Sequence, residues 1–266
     1  MRLTFLGTCA GCEPMPDRHH TAFALEHDSD VYFVDAGETC SYTAHLAGID
    51  LLATRAIFIT HPHIDHVGGL ANLLWTIGKL GGRVDPLALA QASPLVDVLI
   101  SDHQVFEGAV ELLGGTGFHH PHYDLQVQRP ADGEVYASGE FRVTALHNEH
   151  MGTPEPGALW QSFSYLVEAG DRRVLFSGDF RHVSELDSLL DGVDLVLVET
   201  GHHRVEDICE HLAPRDLPGV GFIHHGRAIL ADADAELTKA RAILGKRVFF
   251  ASDGMQLDLA TVVGSA

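Results

Sequence analysis

Short apolar runs bounded by glycine, aspartate or histidine recur along the chain, and their richness in Val, Ile and Phe is that of strands. Residues 3–6, 21–26 and 31–35 predict an opening antiparallel meander, with His27-Asp28-Ser29-Asp30 as its turn. A helix is expected over 41–48, closed by glycine, then a buried strand over 56–60 and a second helix over 68–79. The rhythm is lost over about 81–130. There 86–92 is expected as a strand and 94–106 as an amphipathic helix. The cluster Phe118-His119-His120-Pro121-His122-Tyr123 reads as a solvated loop or strand edge, or else as a pocket wall or oligomer contact. Strands return at 141–147, 161–168, 173–178, 194–200, 220–224 and 247–251, with helices at 205–212 and 232–244. Two series of strands, each with flanking helices, predict two sheets packed face to face and covered outside by helices.

Composition narrows the class without naming a function. With 266 residues, 45% of them apolar and 20% charged, the chain can bury a sizeable core, which excludes disorder and collagen-like structure. No stretch reads as a linker, so one domain over 1–266 is expected, with 81–130 shaping its pocket. Asp plus Glu outnumber Lys plus Arg by 37 to 17, a formal charge of −20 whose field repels polyanions. The densest basic runs, Arg172-Arg173 and Lys246-Arg247, read as solvated strand ends rather than phosphate grips. The N-terminus lacks a secretory pattern and no apolar run nears the roughly 20 residues that span a bilayer, so a cytoplasmic protein without membrane contact is expected. Four cysteines (Cys9, Cys12, Cys40, Cys209) are too few for a disulfide scaffold, and the lone Cys9-Ala-Gly-Cys12 reads as buried or incidental thiols.

The chemistry lies in the 19 histidines. His61-Pro62-His63-Ile64-Asp65-His66 places four potential ligands in six residues directly after an apolar strand. Imidazole and carboxylate suit Zn²⁺, Mn²⁺ or Fe²⁺. His61 and His63, two apart on extended backbone, point the same way, whereas Asp65 and His66 open a helix and face a second position. The spacing therefore divides ligands between two adjacent metals. Four side chains cannot fill two coordination shells, and other strand ends supply more: His147, Asp179 after Ser177-Gly178, and His224-His225. An aspartate in such a turn can bridge two cations through its two oxygens.

These residues resemble the metallo-β-lactamase superfamily, whose HxHxDH signature is matched in full by His61, His63, Asp65 and His66. The resemblance runs through Gly7, Val34-Asp35-Ala36-Gly37, His147, Asp179, Leu197-Val198-Glu199 and the terminal histidine to Ala251–Met255. The 162–179 and 251–255 segments are similar to the branch containing tRNase Z and small phosphodiesterases. The resemblance implies an α/β fold, a four-layer αβ/βα sandwich of two mixed β-sheets flanked by helices, with a dinuclear site at one sheet edge. It implies that His61, His63 and His147 bind one metal and Asp65, His66 and His224 the other, with Asp179 bridging. His150 is the alternative to His147, and His225 to His224. Asp35 resembles a residue that supports the site from behind, or else simply starts a turn. Asp65 and Glu199, the latter with His202 or His203 as proton relay, complete the candidate catalytic groups.

Two divalent cations, zinc preferred over manganese or iron, would lower the pKa of a shared water from about 15.7 toward about 7, making a nucleophile. Hydrolysis of a small phosphodiester or cyclic phosphate is the first expectation. The acidic charge argues for a small-molecule substrate and against an extended nucleic-acid surface. Lactone, ester or thioester hydrolysis is the alternative, and a non-catalytic metal-binding protein the weaker one. Oligomeric state is left open, a homodimer included.

Overall fold

In the opening strands both odd and even positions are apolar, so neither face can meet water and each strand must lie between two apolar layers. The computed structural model describes residues 1–11, 15–84, 95–115 and 123–262. Among these, β1 (Arg2–Gly7), β2 (Ala22–His27), β3 (Asp30–Ala36), β4 (Thr54–Phe58), β5 (Leu95–Leu99) and β6 (Asp124–Gln128) pair in sequence order, with β14 (Gln256–Asp258) beside β1. The second sheet runs β7 (Gly133–Ser138), β8 (Phe141–His147), β9 (Phe163–Ala169), β10 (Arg172–Phe176), β11 (Leu195–Glu199), β12 (Gly219–Ile223) and β13 (Val248–Phe250). Both sheets are mixed: β3 to β6 and β10 to β13 are parallel, the earlier strands of each sheet antiparallel.

Tyr32, Val34, Ala56 and Phe58 face the other sheet, where Phe141, Tyr165 and Phe176 meet them, with Tyr32 and Phe141 stacked at 3.6 Å between ring centroids. Val31, Phe33 and Ile57 turn outward onto α1 (Cys40–Leu46), α3 (Leu70–Gly81) and α4 (His103–Gly115). The short α2 (Ile64–Val67) sits at the sheet edge. On the far side α5 (Val205–Leu212), α6 (Arg227–Ala231) and α7 (Ala233–Leu244) cover the second sheet through Ile208, Leu212, Ile229 and Ala240. This is the four-layer αβ/βα sandwich of the metallo-β-lactamase fold.

The helix expected over 94–106 is corrected. Leu95–Leu99 is a strand between β4 and β6 with Val96 and Val98 buried, and the helix begins only at His103. A β-branched run with paired neighbours on both sides overrides a marginal helical pattern. The expected strand at 86–92 lies outside the described residues, as do His119, His120 and His122. Tyr123 is described and buried, its hydroxyl donating to Leu74 O at 2.8 Å. The sheets are stitched at one edge: Phe163 N donates to Thr60 O at 2.9 Å and the Tyr165 hydroxyl to Ile59 O at 3.0 Å. The carboxyl end of β4 is thereby fixed to the amino end of β9, beside which the carboxyl end of β10 lies through the pairing of Phe176 with Tyr165, and carboxyl ends are where sites form in sheets of parallel strands.

Candidate metal centre

Beyond β4 the backbone stays extended through His63, whose φ of −64° and ψ of 148° are those of a helix N-cap, and α2 then turns Asp65 and His66 inward. His61 Nε2 and His63 Nδ1 lie 3.0 Å apart. Asp35, at the end of β3, takes a left-handed φ of 60°, a conformation that costs a non-glycine residue about 1–3 kcal/mol and is kept where its side chain is needed. Its carboxylate accepts from Thr60 N at 2.8 Å, from Thr60 Oγ1 at 3.0 Å and from His66 Nδ1 at 2.8 Å. Of the two readings left open for Asp35, support from behind is the one the geometry shows: Nδ1 is engaged, which leaves Nε2 of His66 facing the centre.

The second sheet contributes one residue from each of several strand ends. Asp179 follows Gly178, whose φ is 56° and where a Cβ would sit 2.7 Å from Phe163 O, so the turn admits only glycine there. His224 directly follows β12 with a left-handed φ of 48°. His150 reaches in from the loop after β8, its Nε2 3.2 Å from His63 Nδ1. That residue replaces His147 in the set. His147 points elsewhere: its Nδ1 is held by Asp132 Oδ2 at 2.7 Å and its ring stacks on Trp160 at 3.9 Å. The chain turns after it because Asn148 N donates to Ser162 O and Asn148 Oδ1 accepts from His150 N at 3.1 Å. His225 also stays outside the cluster, buried with Nε2 2.7 Å from Ala251 O, and burial pushes its pKa down to about 4.

Two donor sets result, His61, His63 and His150 on one side and Asp65, His66 and His224 on the other, with Asp179 between them. Asp179 Oδ2 is 3.7 Å from His61 Nε2 and 3.6 Å from His150 Nε2, while Oδ1 is 3.6 Å from His66 Nε2. Asp65 Oδ2 lies 3.5 Å from His66 Nε2 and 3.2 Å from His224 Nε2. Metal–ligand bonds of about 2.0–2.1 Å in a tetrahedron put ligand atoms about 3.3 Å apart, so these spacings fit divalent cations. A further observation agrees: His66 Nε2 and Asp179 Oδ1 are buried, face each other and have no hydrogen-bond partner, an arrangement that costs free energy unless a ligand satisfies it.

The electrostatics divide the histidines. Burial, aided by neighbouring His66, holds His61 well below its ordinary pKa, and burial pushes His150 down to about 4. Burial would also lower His66 and His224, but Asp35 and Asp179 outweigh it at His66, and Asp179 with Asp65 raises His224 to about 9. Asp179 stays ionised despite burial because His224 and His66 hold its carboxyl well below the usual range. Cations binding here would displace protons from His66 and His224.

Glu199, fully buried at the end of β11, accepts from His202 N at 3.0 Å and lies 3.2 Å from His202 Nδ1 through its other oxygen. His202 is half exposed and its Nδ1 is 3.6 Å from Asp179 Oδ2, so this imidazole stands on the open wall of the centre. The Glu199 hydrogen bond raises its pKa. His203 is held differently: its Nε2 is 3.0 Å from Phe180 O and 3.5 Å from Glu199 Oε1, and its ring stacks on Phe180. In front of Asp65, Asp179, His202 and His224 opens a cleft walled by Gly11 and Arg227. Cys9 is buried near this wall, and Cys12 lies outside the described residues.

Comparison with known proteins follows the same lines. The chain is 29% identical over 150 residues to ribonuclease Z of Methanothermobacter thermautotrophicus, which covers 56% of this chain and 45% of the relative. The chain spans about half the length of the curated relatives it matches, or less. Human tRNase Z, short form, superposes with a TM-score of 0.72 at 18% identity, covering 97% of this chain and 99% of that one. The metallo-β-lactamase fold protein YhfI of Bacillus subtilis does so with 0.73 at 15% identity, covering 96% and 98%. The ribonuclease Z relatives overturn the expectation of a small-molecule substrate and no nucleic-acid surface, since proteins with this likeness are named for acting on RNA. Net charge is a weak guide here, because cations bound at such a centre would be the largest local charges and would outweigh the field of the surface as a whole. Residues 1–206 match the family described as "Anti-Pycsar protein Apyc1", and the chain belongs to that family, within the tRNase Z branch of the metallo-β-lactamase superfamily.

Proposed function

We propose that this chain is a metal-dependent phosphodiesterase that hydrolyses ribonucleotide phosphodiester bonds with two divalent cations, zinc preferred on ligand type. The observation that carries the reading is the Glu199–His202 pair, 3.2 Å apart, standing on the open wall 3.6 Å from the carboxylate between the two donor sets. A hydrolase that must protonate an alkoxide leaving group needs an acid at that place, and the names of the ribonuclease Z relatives support the substrate class.

His61, His63 and His150 would hold one cation, Asp65, His66 and His224 the other, and Asp179 both. When bound, the cations supply an ionised water near neutral pH and offset charge on the phosphoryl oxygens. The chain's own residues do the rest. Asp35 fixes the His66 ring, and Asp179 keeps a negative charge between the two sets. Glu199 binds Nδ1 of His202, orients the ring and favours its charged form, leaving Nε2 to donate a proton to the departing oxygen.

The test compares zinc-reconstituted and chelator-stripped protein on bis-p-nitrophenyl phosphate, a short RNA, a cyclic nucleotide and a panel of acyl-lactones. The reading expects metal-dependent turnover of the first two. His202→Ala should slow RNA cleavage by about 10²–10⁴-fold and p-nitrophenyl release far less, because nitrophenolate leaves without a proton. Turnover of lactones with inert diesters, or of the cyclic nucleotide with inert RNA, would overturn it.

A further inference from the structure

Between β13 and β14 the chain crosses from the second sheet back to the first. Ala251 N donates to Phe222 O at 3.0 Å on one side and Gly254 N to Phe5 O at 2.8 Å on the other, so the crossing is anchored in both sheets. Within it stands Asp253, on whose two oxygens four donors converge. Oδ1 accepts from Thr8 N at 3.0 Å and from the Thr8 hydroxyl at 2.6 Å. Oδ2 accepts from His19 N at 2.6 Å and lies 2.9 Å from His19 Nδ1. Arg18 Nη1 donates to the Thr8 hydroxyl at 2.9 Å, which suits an oxygen whose one hydrogen is spent on Asp253. The segment 8–11 held in this way touches two of the metal-facing residues. Thr8 O accepts from His225 N at 2.7 Å and Ala10 N donates to His225 O at 3.2 Å, gripping the residue after His224 from both ends. The left-handed φ of His224 is a conformation that persists only where its surroundings over-determine it. Gly11 lies flush against the other residue: a Cβ on it would stand 2.9 Å from Asp65 Oδ2.

We propose that Asp253 is a positioning residue of the metal centre: by holding the segment 8–11 it sets where Asp65 and His224 stand, and with them the cation position they would share with His66. The proposal rests on the two-cation reading and adds to it a residue that touches neither cation nor substrate. A carboxylate suits the task because it is an acceptor through both oxygens, and its charge strengthens each bond it accepts. Asparagine at 253 would turn an NH₂ group toward one of the two donor pairs, and the segment would come loose on that side.

The test titrates the metal-free full chain with Co²⁺ and reads the absorption of each position, with Tm measured alongside. Asp253→Asn should weaken the Asp65, His66 and His224 position by about tenfold and leave the other within about twofold. Thr8→Val, which keeps shape but loses the hydroxyl, should shift the same position, and Thr8→Ser should restore it. Gly11→Ala reaches Asp65 without touching the Asp253 bonds and should weaken that position too, so the proposal stays testable if Asp253→Asn fails to fold. Leu212→Ala opens a cavity between α5 and the second sheet, far from the segment; it should lower Tm and leave both positions within about twofold. Equal weakening of both positions by Asp253→Asn, no weakening of either, or the same selective loss in Leu212→Ala would overturn the proposal. A parent that takes up a single cation would overturn the two-cation reading instead. The proposal would then stand if Asp253→Asn weakens that one position and Leu212→Ala does not, and fall otherwise. Selective loss of metal in a protein that hydrolyses no diester would uphold the role of Asp253 and remove the phosphodiesterase reading alone.

Discussion

The two halves of the metal centre are built on different plans. The half carried by the first sheet draws His61, His63, Asp65 and His66 from six consecutive residues at one strand end, braced from behind by Asp35 and Thr60. The half carried by the second sheet draws His150, Asp179, His202 and His224 singly from the ends of four strands and the loops after them. In the first, local spacing alone decides which atoms meet. In the second, short-range contacts such as Glu199 with His202 and Asn148 with His150 aim single side chains, but only the tertiary fold brings them to one place. The largest expected effect comes where the two plans join. Asp179→Ala should lose metal and activity together, since several kcal/mol of charge stabilisation at the centre is roughly a 10³-fold loss or more. Two metals per chain retained in elemental analysis of that variant would show that Asp179 does not tie the halves together.

The distributed half can be broken one residue at a time, and the neighbours His147 and His150 make the sharpest pair. His150→Ala should empty the position it shares with His61 and His63, with a loss of affinity exceeding the roughly 10–100-fold that outer partners produce. His147→Ala should leave metal content unchanged, because that ring is spent on Asp132 and Trp160. Metal titration of the two variants decides between them, and a reversed result would restore the strand-end residue to the set.

This contrast also explains how much was legible beforehand. The strand rhythm, the two-sheet architecture and the 61–66 cluster are local properties, set by side-chain alternation and by a two-residue step on extended backbone. His150 was visible only as an alternative, because its entry depends on Asn148 turning the chain after β8, a contact with Ser162 distant in sequence. His202 and His203 were equivalent on paper. What separates them is that Glu199 takes the nitrogen of one while the carbonyl of Phe180 takes that of the other. The strand at Leu95–Leu99 was missed because its identity comes from neighbours β4 and β6.

The local half should be harder to disturb and easier to tune. Asp35→Asn keeps the size of the side chain but offers one acceptor oxygen where three donors now converge, and its amide competes for the bond to His66 Nδ1. Affinity at the Asp65, His66 and His224 position should fall by about 10–100-fold while the opposite position holds. Cobalt substitution, whose absorption reports each site, would follow this. An equal loss at both positions would mean that Asp35 supports the whole edge and not one imidazole.

The smallest effect is expected at Glu185, which does for the second half what Asp35 does for the first, but through backbone. Its carboxylate accepts from Glu149 N at 3.2 Å, Arg181 N at 3.1 Å and His182 N at 3.4 Å, clasping the loop of His150 to the turn after Asp179. Because it steers ligands only by holding their neighbours in the chain, and lies toward the surface, Glu185→Ala should weaken the position shared by His61, His63 and His150 by less than about tenfold, the lower end of the range for outer partners. Glu185→Gln, which keeps an acceptor for the two N–H groups on the Oε2 side, should lose still less. If both variants bind metal as the parent does, the His150 loop is held by Asn148 and Ser162 alone, and the distributed half is sturdier than its scattered origin suggests.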